Sequence, residues 1–250
     1  MTKTIGTDVS FWQDDPNTTH VIDFKRMLQG GAKFVIIRAG QNRWEDNEFK
    51  ISWANAKQAG IPRGSYWFYD SRVSPKEQAE LWMKIMNGDL GELPLWCDFE
   101  DRYGGAFGGW KHFYDFMEAV KSLAPNKEIG VYTNYYYWLE HTIASPAGIS
   151  NASLNYFKQY PLWVAAYNNV GPNVPAPWDD WTFWQFTDNG DGDLYGVESG
   201  NIDLNYFNGD EETLRARFGL GAGNQPPPSV EAVQVSAMYQ GKEVNYKEII

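Results

Sequence analysis

Short apolar runs rich in β-branched and aromatic residues recur along the first 205 residues of this 250-residue chain. Eight of these runs have the length of a strand: Ile5–Val9, Phe34–Arg38, Gly64–Phe68, Leu95–Glu100, Ile129–Thr133, Leu162–Ala166, Trp181–Gln185 and Ile202–Asn205. The first five begin 29, 30, 31 and 34 residues apart, close to the ~30 residues of a strand-helix-strand unit. This regularity predicts parallel strands joined by helices.

Two connecting segments have clear helical patterns. Ser74–Glu77 predicts a capping box with proline at the first helical position. The apolar positions that follow it share one helical face: Ala79, Trp82, Met83 and Met86. A second helix is predicted at Trp110–Ala124, where Pro125 ends it.

The last two strand intervals shrink to 19 and 21 residues, too short for a full helical crossover. We therefore expect about five helices. No glycine-rich phosphate loop follows the first strand, which disfavours an open doubly wound sheet. The pattern predicts an α/β fold, an irregular TIM-like β/α barrel with eight strands and about five helices.

The barrel is predicted to occupy residues 1–218. Residues 219–229 are rich in glycine and proline, which is typical of a linker. Residues 230–250 contain a Val-Gln-Val alternation and a Gln240-Gly241 turn pattern, but are too few to bury a core alone. They are predicted to be a C-terminal tail or the first hairpin of a truncated second module.

Composition narrows the possible functions. The chain has 21 Lys and Arg against 32 Asp and Glu, a net charge of −11, which argues against nucleic acid as a partner. One cysteine, Cys97, excludes an intrachain disulfide, and the three histidines lack a metal-ligand spacing. We therefore expect no metal and no cofactor. The oligomeric state stays open.

No stretch reaches the ~18 consecutive apolar residues of a transmembrane helix, so membrane insertion is not expected. The first six residues do not resemble a secretory signal peptide. We expect synthesis in the cytoplasm without a signal peptide.

Active sites of β/α barrels lie at the carboxyl ends of the strands. The polar and aromatic residues predicted there are Asp8, Arg38, Tyr66, Asp98, Glu100, Tyr132, Tyr167, Gln185 and Asp203. In the fourth predicted strand, the period of two places Asp98 and Glu100 on one face and Cys97 on the other. Like charges this close raise at least one pKa, so that a carboxyl group can serve as a general acid near neutral pH.

A D-x-E triplet alone often marks a solvated strand end, and Asp8 or Asp203 alone is more often a turn cap. Arg38 is either a charge partner of the acids or part of the barrel interior. The four acids together carry more weight, because the first, fourth and eighth predicted strands meet only if the sheet closes. Paired acids flanked by aromatic rings indicate glycoside hydrolysis.

Eight segments, in order, resemble the family 25 glycoside hydrolases, the Chalaropsis-type or cellosyl-type lysozymes that include phage endolysins. The segments are Gly6–Ser10 with Trp12-Gln13, Phe34–Gly40, Gly64–Phe68, Asp98–Glu100, Gly130–Thr133, Leu162–Tyr167, Trp184–Phe186 and Ile202–Asn205. The resemblance implies an irregular β/α barrel. It also implies an N-acetylmuramidase that hydrolyses the β-1,4 bond between N-acetylmuramic acid and N-acetylglucosamine in bacterial peptidoglycan.

By the same resemblance Glu100 is the proton donor and Asp98 its partner carboxylate. Asp8 and Asp203 hold substrate or tune the pair. Three aromatic residues lie where the family lines its sugar groove: Tyr66, Tyr132 and Trp184. The chain has Trp67 where the family often has histidine, and by alternation Trp67 faces away from Tyr66.

The resemblance also implies action on the bacterial cell wall by an endolysin-like route. Two alternatives stay open. One is a non-catalytic barrel that binds cell-wall glycans, although pure binding requires no inward pair of acids. The other is a chitinase-like barrel, which also ends a strand with D-x-E but carries further aspartates where this chain has Leu95–Cys97.

Overall fold

The computed structural model describes residues 3–14, 18–144, 148–221, 234–239 and 242–247. The chain divides into two compact units, Met1–Leu220 and Gly221–Ile250. In the second unit, β-strands at Gln234–Tyr239 and Lys242–Lys247 pair antiparallel as a hairpin. Most of the proposed linker, and the turn at residues 240–241, lie outside the described residues, so the linker stays a prediction.

Nine strands of the first unit form one sheet in the described residues: β1 (Thr4–Val9), β2 (Val35–Gln41), β3 (Trp44–Glu45), β4 (Arg63–Phe68), β5 (Leu95–Asp98), β6 (Ile129–Asn134), β7 (Leu162–Ala165), β8 (Phe183–Asp191) and β9 (Asn201–Phe207). Their order is β1-β9-β8-β7-β6-β5-β4-β2-β3, and β1 also pairs with β2. Eight strands therefore close a barrel, as predicted, and β3 is a two-residue addition beside β2.

The expectation that all strands run parallel was wrong for the last one. The strand β9 is antiparallel to both β1 and β8. Only residues 192–200 connect β8 to β9, and such a short connection makes a hairpin rather than a crossover. The strand β8 also begins at Phe183 rather than Trp181, and β5 ends two residues before Glu100.

The described residues contain seven α-helices rather than about five: α1 (Phe24–Gln29), α2 (Phe49–Ala59), α3 (Pro75–Met86), α4 (Trp110–Leu123), α5 (Tyr135–His141), α6 (Asn151–Phe157) and α7 (Glu211–Phe218). Both α5 and α6 lie between β6 and β7 and have seven residues each, too few for a clear amphipathic period. No helix in this described set is long and apolar enough to cross a membrane.

The helix α3 begins with Pro75, as predicted, but without the predicted capping box. The Ser74 side chain makes no capping hydrogen bond. Glu77, the other half of the motif, instead accepts hydrogen bonds from the Arg43 guanidinium. The proline at the first helical position remains the start signal.

Aromatic side chains fill the barrel interior below the carboxyl ends of the parallel strands. The buried inner cluster includes Phe34, Trp96, Trp163, Phe183 and Phe207. The Trp96 ring lies 5.7 Å from Trp163 and 5.4 Å from Phe183, both edge-on. A Cβ atom on the neighbouring Gly130 would lie 2.3 Å from the Trp96 ring, so glycine is required there. The barrel is therefore solid at its base and open only at its top.

Candidate active site

A pocket of about 280 Å³ opens at the carboxyl ends of the parallel strands. It contains all four acids that the sequence singled out, from β1, β9 and the end of β5. Its lining residues are Asp8, Ser10, Trp12, Gln13, Arg38, Tyr66, Phe68, Asp98, Glu100, Tyr132, Trp163, Tyr167, Gln185 and Asp203. The structure thus brings together every predicted site residue except Trp184.

Strand alternation places the D-x-E pair in this pocket. Asp98 is the last residue of β5 and only 2% exposed. Cys97 and Phe99 point the other way, and the Phe99 ring stacks on Phe113 of α4 at 4.2 Å. Packing of Phe99 under α4 therefore fixes the strand end, so that the residues on either side of it, Asp98 and Glu100, face the pocket.

The environment of Glu100 favours its protonated form. Burial, followed by the charge of Asp8, raises its pKa to about 7, against a smaller opposing effect of Arg102. Burial and the charge of Glu100 also raise the pKa of Asp98, which the Arg38 guanidinium opposes. A buried carboxyl with a raised pKa is what a proton donor requires.

Asp8 and Asp203 meet through the antiparallel pairing of β1 and β9. They lie directly opposite one another in the register, so their side chains share the inner face. Burial, followed by the charge of Asp8, raises the pKa of Asp203 to about 9. Burial raises the pKa of Asp8 to only about 6, because hydrogen bonds from Asn205 and Gln185 lower it.

Two amides hold Asp8 from the neighbouring strands. Gln185 Nε2 donates to Asp8 Oδ2 at 2.9 Å, and Asn205 Nδ2 donates to the same oxygen at 2.7 Å. Gln185 and Asn205 are themselves opposite one another on β8 and β9. Sequence reasoning placed Gln185 at a strand end but did not find Asn205, which lies two residues after Asp203 on the same face.

Arg38 is buried beside the acids and has its own carboxylate partner. Its Nε donates to Asp46 Oδ2 at 2.8 Å, and its guanidinium lies 4.6 Å from the Phe11 ring centroid. Its second terminal nitrogen has no hydrogen-bond partner among the described residues. Asp46 follows β3 and carries no recognisable pattern, so the sequence could not predict this pair.

The expectation that Trp184 lines the groove was wrong. Its side chain is 1% exposed and packs on the outer side of the barrel wall, where its indole N–H donates to the Ala166 carbonyl oxygen at 2.8 Å. Successive residues of a strand face opposite sides. Because Gln185 points into the pocket, Trp184 must point out of it.

Exposed aromatic rings form the rim of the pocket. Trp12 is 69% exposed and Tyr167 is 56% exposed. Trp12 lies in the short 3-10 turn Phe11–Gln13 after β1, which Ser10 and Gln13 close as a capping box. The S-x-x-Q pattern at residues 10–13 could have identified this turn from the sequence. Exposed flat rings at a polar pocket are suited to stacking on sugars.

The loop after Glu100 is attached to the segment after β4. Asp101 Oδ2 accepts a hydrogen bond from the Ser71 backbone N–H at 2.6 Å, and Gly105 N–H donates to Ser71 Oγ at 2.8 Å. A Cβ on Gly105 would lie 2.2 Å from the Ser71 carbonyl oxygen. These contacts hold the residues that follow Glu100 against the barrel.

In the described ranges, no group of three or more His, Cys, Asp or Glu side chains is arranged to hold a metal ion. The side chains that line the pocket supply carboxyl groups, amides, hydroxyls, aromatic rings and one guanidinium. Glu100, whose pKa is raised to about 7, can donate or accept a proton at a bound substrate near neutral pH.

Comparison with known proteins agrees with this geometry. Residues 7–193 match the family described as "Glycosyl hydrolases family 25". Lysozyme M1 of Streptomyces globisporus is 29% identical, over 84% of this chain and 72% of its own. An N,O-diacetylmuramidase of Arthroderma benhamiae is 26% identical over 86% of each chain. The crystal structure of a bacterial lysozyme from Streptomyces coelicolor superposes with a TM-score of 0.69 and 26% identity, covering 88% of this chain and 99% of that one.

Proposed function

The chain belongs to glycosyl hydrolases family 25 and is a glycoside hydrolase of the lysozyme type, and we propose that its substrate is bacterial peptidoglycan. The proposed reaction is hydrolysis of the β-1,4 bond between N-acetylmuramic acid and N-acetylglucosamine. The observation that carries this assignment is the meeting of Glu100, Asp98, Asp8 and Asp203 in one pocket rimmed by exposed aromatic rings.

In the proposed reaction Glu100 is the general acid. It protonates the glycosidic oxygen as the bond to the anomeric carbon breaks, which lets the sugar leave as an alcohol. Its raised pKa, about 7, keeps a large fraction of the group protonated at neutral pH. Since Glu100 is less deeply buried than Asp98, it is the better placed of the two to reach a bond lying across the pocket mouth.

Two of the other acids, in their ionised form, would stabilise the positive charge that develops at the anomeric centre. Ionised carboxylates in a water-poor pocket stabilise such charge strongly, because the surrounding dielectric is low. We assign this role to Asp98 at the end of β5 and to Asp8 on β1. Two conditions favour the ionised form of Asp98: the Arg38 guanidinium lowers its pKa, and the charge of Glu100, which raises it, is absent while Glu100 holds its proton.

Asp98 can act on the anomeric centre by two routes. It can orient the acetamido group of the substrate as an internal nucleophile, or it can serve as the base for an attacking water. The anomeric configuration of the first-formed product separates the two. Net retention in an NMR time course supports the acetamido route, and net inversion supports direct attack by water.

The proposed function is tested on purified peptidoglycan and on chitin. We expect the protein to clear a peptidoglycan suspension and to leave N-acetylmuramic acid at the new reducing ends, as identified by mass spectrometry. Cleavage of chitin but not peptidoglycan would support the chitinase alternative. A folded protein that binds several wall preparations without cutting any would support a non-catalytic glycan-binding barrel.

The activity should fall as the pH rises above about 7. A general acid works only when protonated, and the pKa of Glu100 is raised to about 7, so the competent fraction decreases with increasing pH. The measurement is kcat/KM on a soluble peptidoglycan fragment between pH 4 and pH 9. An activity that stays constant up to pH 9 would contradict Glu100 as the acid.

A further inference from the structure

We propose that Gln185 and Asn205 are positioning residues that keep Asp8 ionised and leave the proton of the Asp8–Asp203 pair on Asp203. This proposal rests on the proposed function of the pocket, because it concerns the charge that acts on the proton donor Glu100. It assigns a role to two neutral side chains that touch no reacting atom.

The orientation of the Asn205 amide follows from its second neighbour. The indole N–H of Trp163 can only donate, and it does so to Asn205 Oδ1 at 2.8 Å. The Asn205 amide nitrogen must then face the other way, where it donates to Asp8 Oδ2 at 2.7 Å. A buried tryptophan thus determines which end of Asn205 meets the carboxylate.

The orientation of the Gln185 amide follows from its contacts with Asp8 and two tyrosine hydroxyls. Gln185 Oε1 accepts hydrogen bonds from the hydroxyls of Tyr132 at 2.9 Å and Tyr167 at 3.0 Å. Its Nε2 donates to Asp8 Oδ2 at 2.9 Å. The reversed amide would put an oxygen against Asp8 Oδ2, and buried acceptors do not pair with one another.

Two N–H donors on one carboxylate oxygen favour the ionised state of that carboxyl group. Protonation of Asp8 Oδ2 would set its hydrogen against both amide N–H groups. Asp203 lies opposite Asp8 on β9 and is hydrogen-bonded to it, so the proton they share lies on Asp203. Among the residues that the structure describes, neither amide donates to Asp203.

Asp8 in turn influences the proton donor. Burial is the largest cause that raises the pKa of Glu100, and the negative charge of Asp8 is the second. Other charged or titratable groups also face Asp8 from the elements around it: Asp203 on β9, Asp98 and Glu100 at the end of β5, Arg38 on β2, Tyr66 on β4, Tyr132 on β6 and Tyr167 after β7. Replacing Gln185 or Asn205 leaves the charged members of this set unchanged, whereas Gln185→Met also removes the acceptor of the Tyr132 and Tyr167 hydroxyls.

The test replaces each amide by an apolar side chain of similar size, Gln185→Met and Asn205→Leu. Loss of one donor should raise the pKa of Asp8 by about one unit. Asp8 is then less charged near neutral pH, so the alkaline limb of kcat/KM should move to lower pH in both variants. Asn208→Leu is the matched control, because the Asn208 side-chain amide donates to Asp180 and to the Trp181 carbonyl oxygen and does not line the pocket.

A second readout does not depend on turnover. The carboxyl carbons of ¹³C-labelled aspartates are titrated by NMR, and Asp8→Asn identifies the Asp8 resonance. An upward shift of the Asp8 midpoint in Gln185→Met supports the proposal even if peptidoglycan is not the substrate. If the Asp8 midpoint and the alkaline limb of Gln185→Met both match wild type and Asn208→Leu, the positioning role is refuted, whether or not Asn205→Leu folds.

Discussion

The Glu100→Gln variant is expected to fold like the wild type and to lose turnover by about 10²- to 10⁴-fold, the range that a general acid contributes. Glutamine retains the size of the side chain and can donate a hydrogen bond, but it cannot transfer a proton to the departing oxygen. Removing the carboxyl also removes one of the buried like charges around Asp98, so stability should not fall. The measurements are kcat on a peptidoglycan fragment and the midpoint of thermal unfolding.

Glu80→Gln is the control for this substitution. Glu80 is an exposed residue on α3 that forms an ion pair with Lys76 at 3.7 Å, so its replacement makes the same chemical change outside the pocket. It should retain wild-type kcat. Turnover of Glu100→Gln within about threefold of the wild type would show that another group supplies the proton.

Trp96→Ala should lower the free energy of unfolding by about 3–5 kcal/mol, the usual cost of emptying a large aromatic site in a core. Trp96 is completely buried, and its neighbours Trp163 and Phe183 are held by the barrel wall and cannot collapse into the space. The value is measured by urea denaturation at neutral pH. Activity should fall as well, because Trp163 both contacts Trp96 and orients Asn205.

Trp12→Ala is the matched control for stability. Trp12 is 69% exposed at the rim, so its removal should change the free energy of unfolding by less than about 1 kcal/mol. It should still weaken binding of the glycan, since the ring is available for stacking. If Trp96→Ala were no more destabilised than Trp12→Ala, the aromatic filling of the barrel would not be the source of its stability.

The strand pattern could be predicted because each run is apolar over the length of one strand and the runs recur at a regular interval. Asp98 and Glu100 follow from this pattern directly, since alternation within one strand is a local property. The direction of β9 does not, because an apolar run has the same pattern in either orientation. The one indication in the sequence was the short interval between the last two strands. It excluded a helical crossover but did not predict that β9 runs antiparallel to β8.

Residues whose role depends on a distant partner were the ones that escaped prediction. Asn205 is ordinary in sequence and acquires its role only from Asp8 on β1 and Trp163 on β7. Asp46 is likewise defined by its contact with Arg38. The error on Trp184 was different, because its neighbour Gln185 was also placed at the site and strict alternation allows only one of the two to face inward.

The pairing of β1 with β9 determines at what stage of synthesis the pocket can form. Asp8 and Asn205 are 197 positions apart, and β9 is the last strand of the barrel to leave the ribosome. A growing chain can already pair β1 with β2 and place Asp98 at the end of β5 with Glu100 two residues later, but β1 and β8 still present open edges. Contacts of such long sequence separation form late. The complete set of four acids therefore assembles only when synthesis has passed Phe207, because Asp203 and Asn205 reach Asp8 through the pairing of β1 with β9.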